Sequence, residues 1–271
     1  MRVSGAGKSD LAVRVVSALV LAPVVLAALW IGGAPFAALA LAAACLVFWE
    51  WTRMSVSERL PAVNVIGWAT LVAVAVLGHV TASTYALLTV FAGALAAGLA
   101  AGRHWPWAAA GVAYAGLPLL AFISLRGGPE GLAAMVLVIG IVWATDIFAY
   151  FSGRAIGGPK IWPAISPKKT WAGLIGGMLA ACVFASIFAL AADYPPAPLA
   201  GLALLLAVFS QAGDFMESAV KRHYGVKDAS NLIPGHGGVM DRIDGLGPAA
   251  VLAALIGFVH AGEPAIGLLL W

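Results

Sequence analysis

Apolar residues run almost unbroken along this chain, and short Gly/Pro or polar breaks divide them at intervals. A run of about 20 apolar residues is long enough to cross a bilayer as a helix. Nine such runs are read, at roughly 11–31, 36–53, 62–80, 85–101, 107–125, 131–151, 170–192, 199–220 and 246–270. The breaks include Gly32-Gly33-Ala34-Pro35, Arg126-Gly127-Gly128-Pro129 and Asp193-Tyr194-Pro195-Pro196. The pattern predicts an all-α polytopic membrane protein with about nine transmembrane helices. The first run leads into Gly32-Gly33 and a second apolar run, not into a cleavage site, so it reads as a helix rather than a signal peptide. Residues 1–271 read as a single integral membrane domain. Positions 1–130 hold less distinctive helices, and 131–271 hold the helices and loops that carry chemistry.

Composition agrees. The chain is 62% hydrophobic and 10% charged, against about 45–50% and about 25% in ordinary soluble domains. That excludes a large soluble helical core. Cys45 and Cys182 lie inside apolar runs and read as small buried hydrophobes. Basic residues then set the orientation. With the N-terminus on one side, the nine runs place every Lys and Arg there except Arg126, out of fifteen. Positive charge favours the cytoplasmic face, so the N-terminus is expected to be cytoplasmic, in the cell inner (plasma) membrane. Loops 154–169 and 221–245 fall on that same face. The net charge of +3 is therefore local. It suits anionic ligands at one membrane face and gives no support to nucleic acid binding.

The ionisable residues gather where chemistry is expected. Acids at membrane depth are costly and usually face a bundle interior or a wet cavity. Asp146 lies in the sixth run. Asp214, Glu217, Ser218 and Lys221 recur at i, i+3, i+4 and i+7 in the eighth, hence on one helix face. A Glu217–Lys221 ion pair would neutralise both without any function. After Lys221-Arg222, the chain passes Lys227-Asp228 and Pro234-Gly235-His236-Gly237-Gly238 to reach Asp241-Arg242-Ile243-Asp244. Carboxylates beside Lys and Arg suit Mg²⁺ with phosphate, since magnesium is commonly held by one or two carboxylates plus substrate phosphates. Asp241 and Asp244 alone could equally complement a helix dipole, but together with Asp214 and Asp146 they favour a metal. The other loop of this face holds Arg154, Lys160 and Ser166-Pro167-Lys168-Lys169-Thr170. It opens into a helix whose N-terminus is itself suited to anions. Gly7-Lys8-Ser9 resembles the end of a phosphate-binding loop, but Arg2 stands where the earlier glycine is required and no strand precedes it. His236 is either a ligand or acid–base group, or a loop hydrogen-bonding residue. Charges gathered at one face, without a sequence repeat, argue against a secondary transporter with a midplane site.

These residues resemble the phosphatidate cytidylyltransferase (CDP-diacylglycerol synthase) family. Its signature is Ser-x-x-Lys-Arg, Lys-Asp, Pro-Gly-His-Gly-Gly and Asp-Arg-x-Asp. The matching positions are Ser218, Lys221-Arg222, Lys227-Asp228, 234–238 and 241–244. Gly213-Asp214, Asp146, Gly153-Arg154 and 166–170 are similar too, so the resemblance is strongest over 140–250. It implies that CTP and phosphatidic acid are joined into CDP-diacylglycerol and pyrophosphate by a homodimer in the lipid bilayer. It implies Asp214 and Asp241 as the main Mg²⁺ ligands, Asp146 and Asp244 as assistants, and room for a second cation. Asp214, Asp241, Asp146, Lys221 and Arg222 form the expected catalytic set. Ser166, Lys168, Lys169, Arg154, Ser218, Lys227, His236, Gly237 and Arg242 are expected to bind substrate. A phosphate monoester is largely dianionic at neutral pH, its second pKa lying near 6, so it can attack the α-phosphorus of CTP without a strong base. No residue stands out as a covalent nucleophile, which favours direct in-line transfer.

One position departs from the family. Ser-Pro-Lys-Lys-Thr-x-Glu-Gly is usual there, and this chain has Ala172 in place of the Glu. Ala172→Glu is expected to keep or raise CDP-lipid formation in a purified assay. Complete loss would show that position 172 is not a vacant carboxylate site.

Overall fold

The computed structural model describes residues 6–56, 60–80 and 83–271. Arg2 and Arg59 lie outside the described residues, as do the side chains of Lys8 and Arg14. The chain divides into two compact units, residues 1–119 with 226–242, and 120–225 with 243–271.

The first unit holds α1 (Ala6–Ile31), α2 (Gly33–Ser55), α3 (Pro61–Val80), α4 (Ser83–Ala101) and most of α5 (Trp105–Arg126). Helices α2 and α3 meet where Phe48, fully buried, lies across Gly67. A Cβ at Gly67 would overlap the ring. Gly102, at φ 56°, breaks the 44-residue apolar stretch Ser83–Arg126. The chain folds back there: Gly98 faces Trp105 and Ala109, while Gly116 faces Val90. One long apolar segment is thus an antiparallel hairpin. The Trp51 indole N–H donates to the Trp107 carbonyl at 2.8 Å, and its ring lies 5.0 Å from that of Tyr114.

The second unit holds the end of α5, α6 (Gly131–Ile156), β1 (Lys160–Trp162), β2 (Ser166–Thr170), α7 (Trp171–Ala191) and α8 (Pro196–His223). It closes with the last residue of α9 (Met240–Ile243), then α10 (Leu246–Ala261) and α11 (Pro264–Leu269). Lipid is as apolar as Leu, so membrane helices associate mainly through close packing of small residues. Helix α7 buries Gly173, Gly177, Ala181, Ala185 and Ala189, one every four residues. A Cβ at Gly173 would lie 2.7 Å from the Ala149 carbonyl oxygen, and one at Gly177 2.6 Å from that of Thr145. Helices α6 and α7 therefore touch backbone to backbone.

Six segments are long and apolar enough to cross a membrane, among the described residues. The mostly helical architecture is as expected, with two amendments. The loop before α7 is not irregular: Lys160 pairs with Thr170 and Trp162 with Ser166 in a two-stranded antiparallel hairpin. Thr170 ends that strand instead of starting the helix, and its hydroxyl caps α7 by accepting from the Gly173 N–H at 3.0 Å. The last apolar run is not one helix either. Gly262, left-handed at φ 74°, ends α10, and Pro264 starts α11. A left-handed glycine followed by proline is a strong helix stop.

Gly177→Val is expected to force α6 and α7 apart, at a cost of about 1–3 kcal/mol for overpacking. Thermal unfolding in detergent checks it; an unchanged melting temperature would refute the backbone contact.

Candidate functional site

Within the second unit, α8 presents its polar residues on one face, as the i, i+3, i+4, i+7 spacing dictates. The Ser218 hydroxyl donates to Asp214 Oδ1 at 3.3 Å, and Lys221 Nζ lies 3.2 Å from Oε1 of the fully buried Glu217. Lys169, arriving from β2, places its Nζ 2.6 Å from Asp214 Oδ2 and 4.5 Å above the Phe215 ring. On α6, Asp146 Oδ1 accepts from Gln211 Nε2 at 2.9 Å, within electrostatic reach of Asp214, Asp244 and Lys169.

Asp244 reaches this cluster because two glycines remove side chains from the approach. A Cβ at Gly213 would overlap the Asp244 carbonyl oxygen and Pro248, and one at Gly245 would lie 2.5 Å from the Ser210 hydroxyl. Burial and then the Asp214 carboxylate push the Asp244 carboxyl above the ordinary range, while Glu217, the Gly245 N–H and Lys221 pull the other way. Two lysines thus face four carboxyl groups, Asp146, Asp214, Glu217 and Asp244. Carboxyl groups outnumber ammonium groups here, in a setting where charge is expensive.

The remaining basic residues of this unit edge the cluster. Lys168 is exposed on β2, its carbonyl accepting from Lys160 Nζ at 3.4 Å. Arg154 donates to the Tyr150 hydroxyl at 2.9 Å, and Arg222 is exposed in the last turn of α8. Ser166 is half-buried at the start of β2. Ala172 is the second residue of α7, whose first turn has no acid.

The first unit holds the Gly-rich segment. The Ile233 N–H donates to the Gly237 carbonyl at 2.8 Å, closing a tight turn in which Gly235 and Gly237 take φ 75° and 81°. Those angles favour glycine over any residue with a Cβ. Asp241 Oδ2 accepts from the N–H groups of Ala229 at 3.0 Å and Gly238 at 2.8 Å, so this carboxylate ties both ends of the loop. His236 Nδ1 is buried without a hydrogen-bond partner among the described residues, and such atoms call for an explanation such as a ligand or water. An open groove of about 650 Å³ runs beside Trp49, Arg53 and residues 226–232, with the Arg53 guanidinium 5.3 Å from the Trp49 ring centre. Lys227 lines it; Arg242 is exposed.

Glu50 is the functional candidate that sequence reasoning passes over. It is fully buried on α2 and accepts from Ser230, Val239 and Met240. Its signal was a lone carboxyl inside the second apolar run.

The structure gathers Asp146, Asp214, Asp244, Lys169, Ser218 and Lys221 in the second unit. It assigns Lys227, His236, Gly237, Asp241 and Arg242 to the first. No three acids, His or Cys among the described residues form a ready metal cage. The donor set is nevertheless hard carboxylate oxygen, with carboxyl groups outnumbering ammonium groups. That fits Mg²⁺ taking one or two carboxylates and completing its shell with substrate phosphates.

The sequence matches the cytidylyltransferase family over residues 12–260. It is 43% identical over 266 residues to the phosphatidate cytidylyltransferase of Brucella abortus biovar 1 (strain 9-941), covering 94% of this chain and 96% of the relative. It is 46% identical over 134 residues to that of Bacillus subtilis (strain 168), covering 48% and 50%. The corresponding enzyme of Staphylococcus aureus (strain COL) is 42% identical over 135 residues, covering 49% and 51%.

Lys221→Met is expected to leave the buried Glu217 without its ammonium and to destabilise the protein by about 3–5 kcal/mol, the usual effect of halving a buried pair. Lys221→Met with Glu217→Gln should recover most of that in thermal melts. Equal destabilisation by the single and double variants would show that the pair is not the cause.

Proposed function

Since the chain belongs to the cytidylyltransferase family, we propose that it is a CTP:phosphatidate cytidylyltransferase, which joins CTP and phosphatidic acid into CDP-diacylglycerol and pyrophosphate for phospholipid synthesis. The observation that carries this reading at the level of chemistry is the lysine-paired carboxylate cluster of Asp214, Asp146 and Asp244.

The reaction brings two anions together. An oxygen of the phosphatidate phosphate attacks the α-phosphorus of CTP, and the bond to the β-phosphate oxygen breaks to release pyrophosphate. Relief of repulsion, more than proton removal, is the task. Lys168, Lys169, Lys221, Arg222, Arg154 and Arg242 supply fixed positive charge for the phosphates. Ser166, Ser218, Lys227, His236 and Gly237 complete the binding set. Lys169 is held by Asp214 at 2.6 Å, so its ammonium is oriented before substrate arrives. Asp214, assisted by Asp146 and Asp244, would hold Mg²⁺; Asp241 joins the proposed ligands on its sequence motif. Bound Mg²⁺, with a second cation where one binds, supplies charge neutralisation on the transferring phosphoryl group. Lys169, Lys221 and Arg222 would position the substrate phosphates.

We further propose nine membrane crossings with the N-terminus and site on the cytoplasmic side of the inner membrane. The support is the sidedness of Lys and Arg, all but Arg126 falling on one face. A homodimer is proposed from the family resemblance. The diacyl tails would stay in the bilayer and the headgroup enter sideways between helices.

Purified protein with Mg²⁺, CTP and a panel of lipid phosphates tests the reading. Phosphatidic acid is expected to be converted, and Asp214→Asn and Asp241→Asn each to lower turnover on the order of 10²-fold or more and to raise the Mg²⁺ concentration required. Unchanged turnover in both variants would refute the metal assignment. Conversion of an isoprenoid ether-lipid phosphate in preference to phosphatidic acid would replace the substrate.

A further inference from the structure

We propose that Glu50 is a positioning residue for the transfer reaction, setting the backbone of the Gly-rich segment 229–240 from within α2. Glu50 has no exposed surface. Both carboxyl oxygens are used: Oε1 accepts from the Ser230 hydroxyl at 2.5 Å and the Val239 N–H at 3.0 Å, and Oε2 accepts from the Met240 N–H at 2.7 Å. Two of the three donors are main-chain groups, so Glu50 reads the path of the backbone more than its side chains.

The contact excludes other conformations of the loop. A Cβ at Gly238 would lie 2.5 Å from Glu50 Oε1, closer than real Cβ contacts come. Gly238 is therefore a glycine because the carboxylate stands there. Glu50 and Asp241 also divide neighbouring donors between them. Ala229 donates to Asp241 and Ser230 to Glu50; Gly238 donates to Asp241, and Val239 and Met240 to Glu50. The two residues immediately before Asp241 are thus fixed by Glu50, and so is one residue of the groove beside Trp49 and Arg53. A buried carboxyl group is a costly device for mere stability, where an apolar side chain of similar volume does as well. It suits a loop whose shape must be held to a fraction of an ångström.

The proposal rests on the cytidylyltransferase reading for its catalytic readout alone. The test compares full-length wild type with Glu50→Gln, which keeps the volume and one acceptor but turns an NH₂ group toward a backbone N–H. Hydrogen exchange by mass spectrometry, without substrates, is expected to quicken at 229–240 and not elsewhere in the chain. The kcat is expected to fall about tenfold or more with KM for phosphatidate near wild type, while the buried donor facing a donor lowers the melting temperature without abolishing folding. Gly238→Ala is expected to reproduce this pattern. Unchanged exchange at 229–240, or a kcat within about twofold of wild type, overturns the proposal. If Glu50→Gln fails to fold, Ser230→Ala decides, because it removes a single donor: quicker exchange at 229–232 with reduced kcat supports the proposal, and no change overturns it. A wild type that makes no CDP-lipid would defeat the assigned activity and leave the exchange result to be read by itself.

Discussion

Where Gly173 and Gly177 of α7 meet α6 there is no room for a side chain, and the placement of the site residues follows from that. Gly173 and Gly177 press on the carbonyls of Ala149 and Thr145. In water such a contact would be one among many, because hydrophobic burial would hold the helices anyway. In lipid that drive is absent, and close approach of backbones takes its place. The consequence is chemical as well as mechanical. Asp146 sits one residue beyond Thr145, and Lys169 lies four residues before Gly173. Locking the two backbones together fixes an acid and a base that are far apart in sequence. The same device recurs at Gly213 and Gly245, where missing side chains let Asp244 reach Asp214.

Electrostatics then decides what such a cluster can be. Each lysine makes a close ion pair, Lys169 with Asp214 and Lys221 with Glu217. These pairs reduce the cost of holding charge near lipid, and they leave an acidic remainder. On the proposed function, a polyphosphate meeting these carboxylates would call on the lysines and a cation together.

Much of this was legible in the sequence, for physical reasons. Apolar runs mark helices because each spanning segment must satisfy its own backbone, and the i, i+3, i+4, i+7 spacing put Asp214, Glu217, Ser218 and Lys221 on one face. The hairpin Lys160–Trp162 with Ser166–Thr170 left no such mark, since its strands are only three and five residues long and the second contains Pro167. The division of the apolar run at Gly262 was written in Gly262 and Pro264, but uninterrupted hydropathy on both sides outweighed it. Glu50 was hidden differently. Its partners lie about 180 residues away, and two of the three are backbone groups that no side-chain pattern reports. The four-carboxylate metal set inferred from sequence rests on motif, whereas the structure displays the pairing of Asp214 with Lys169.

Helix length can also be read as a depth gauge. Helix α8 has 28 residues and α10 has 16. At about 1.5 Å per residue, roughly 20 residues suffice for a hydrocarbon core of about 30 Å. Measured from Pro196, Asp214 stands roughly 27 Å along α8, near the far boundary of that core when the helix starts at the near one. The excess length beyond it carries Glu217, Ser218, Lys221 and Arg222. A lipid phosphate rests at that same level, at the junction of tails and headgroups. The membrane would therefore deliver one reactant at the height of the carboxylates, so that diffusion in two dimensions, and not extraction of a lipid from the bilayer, sets how it arrives.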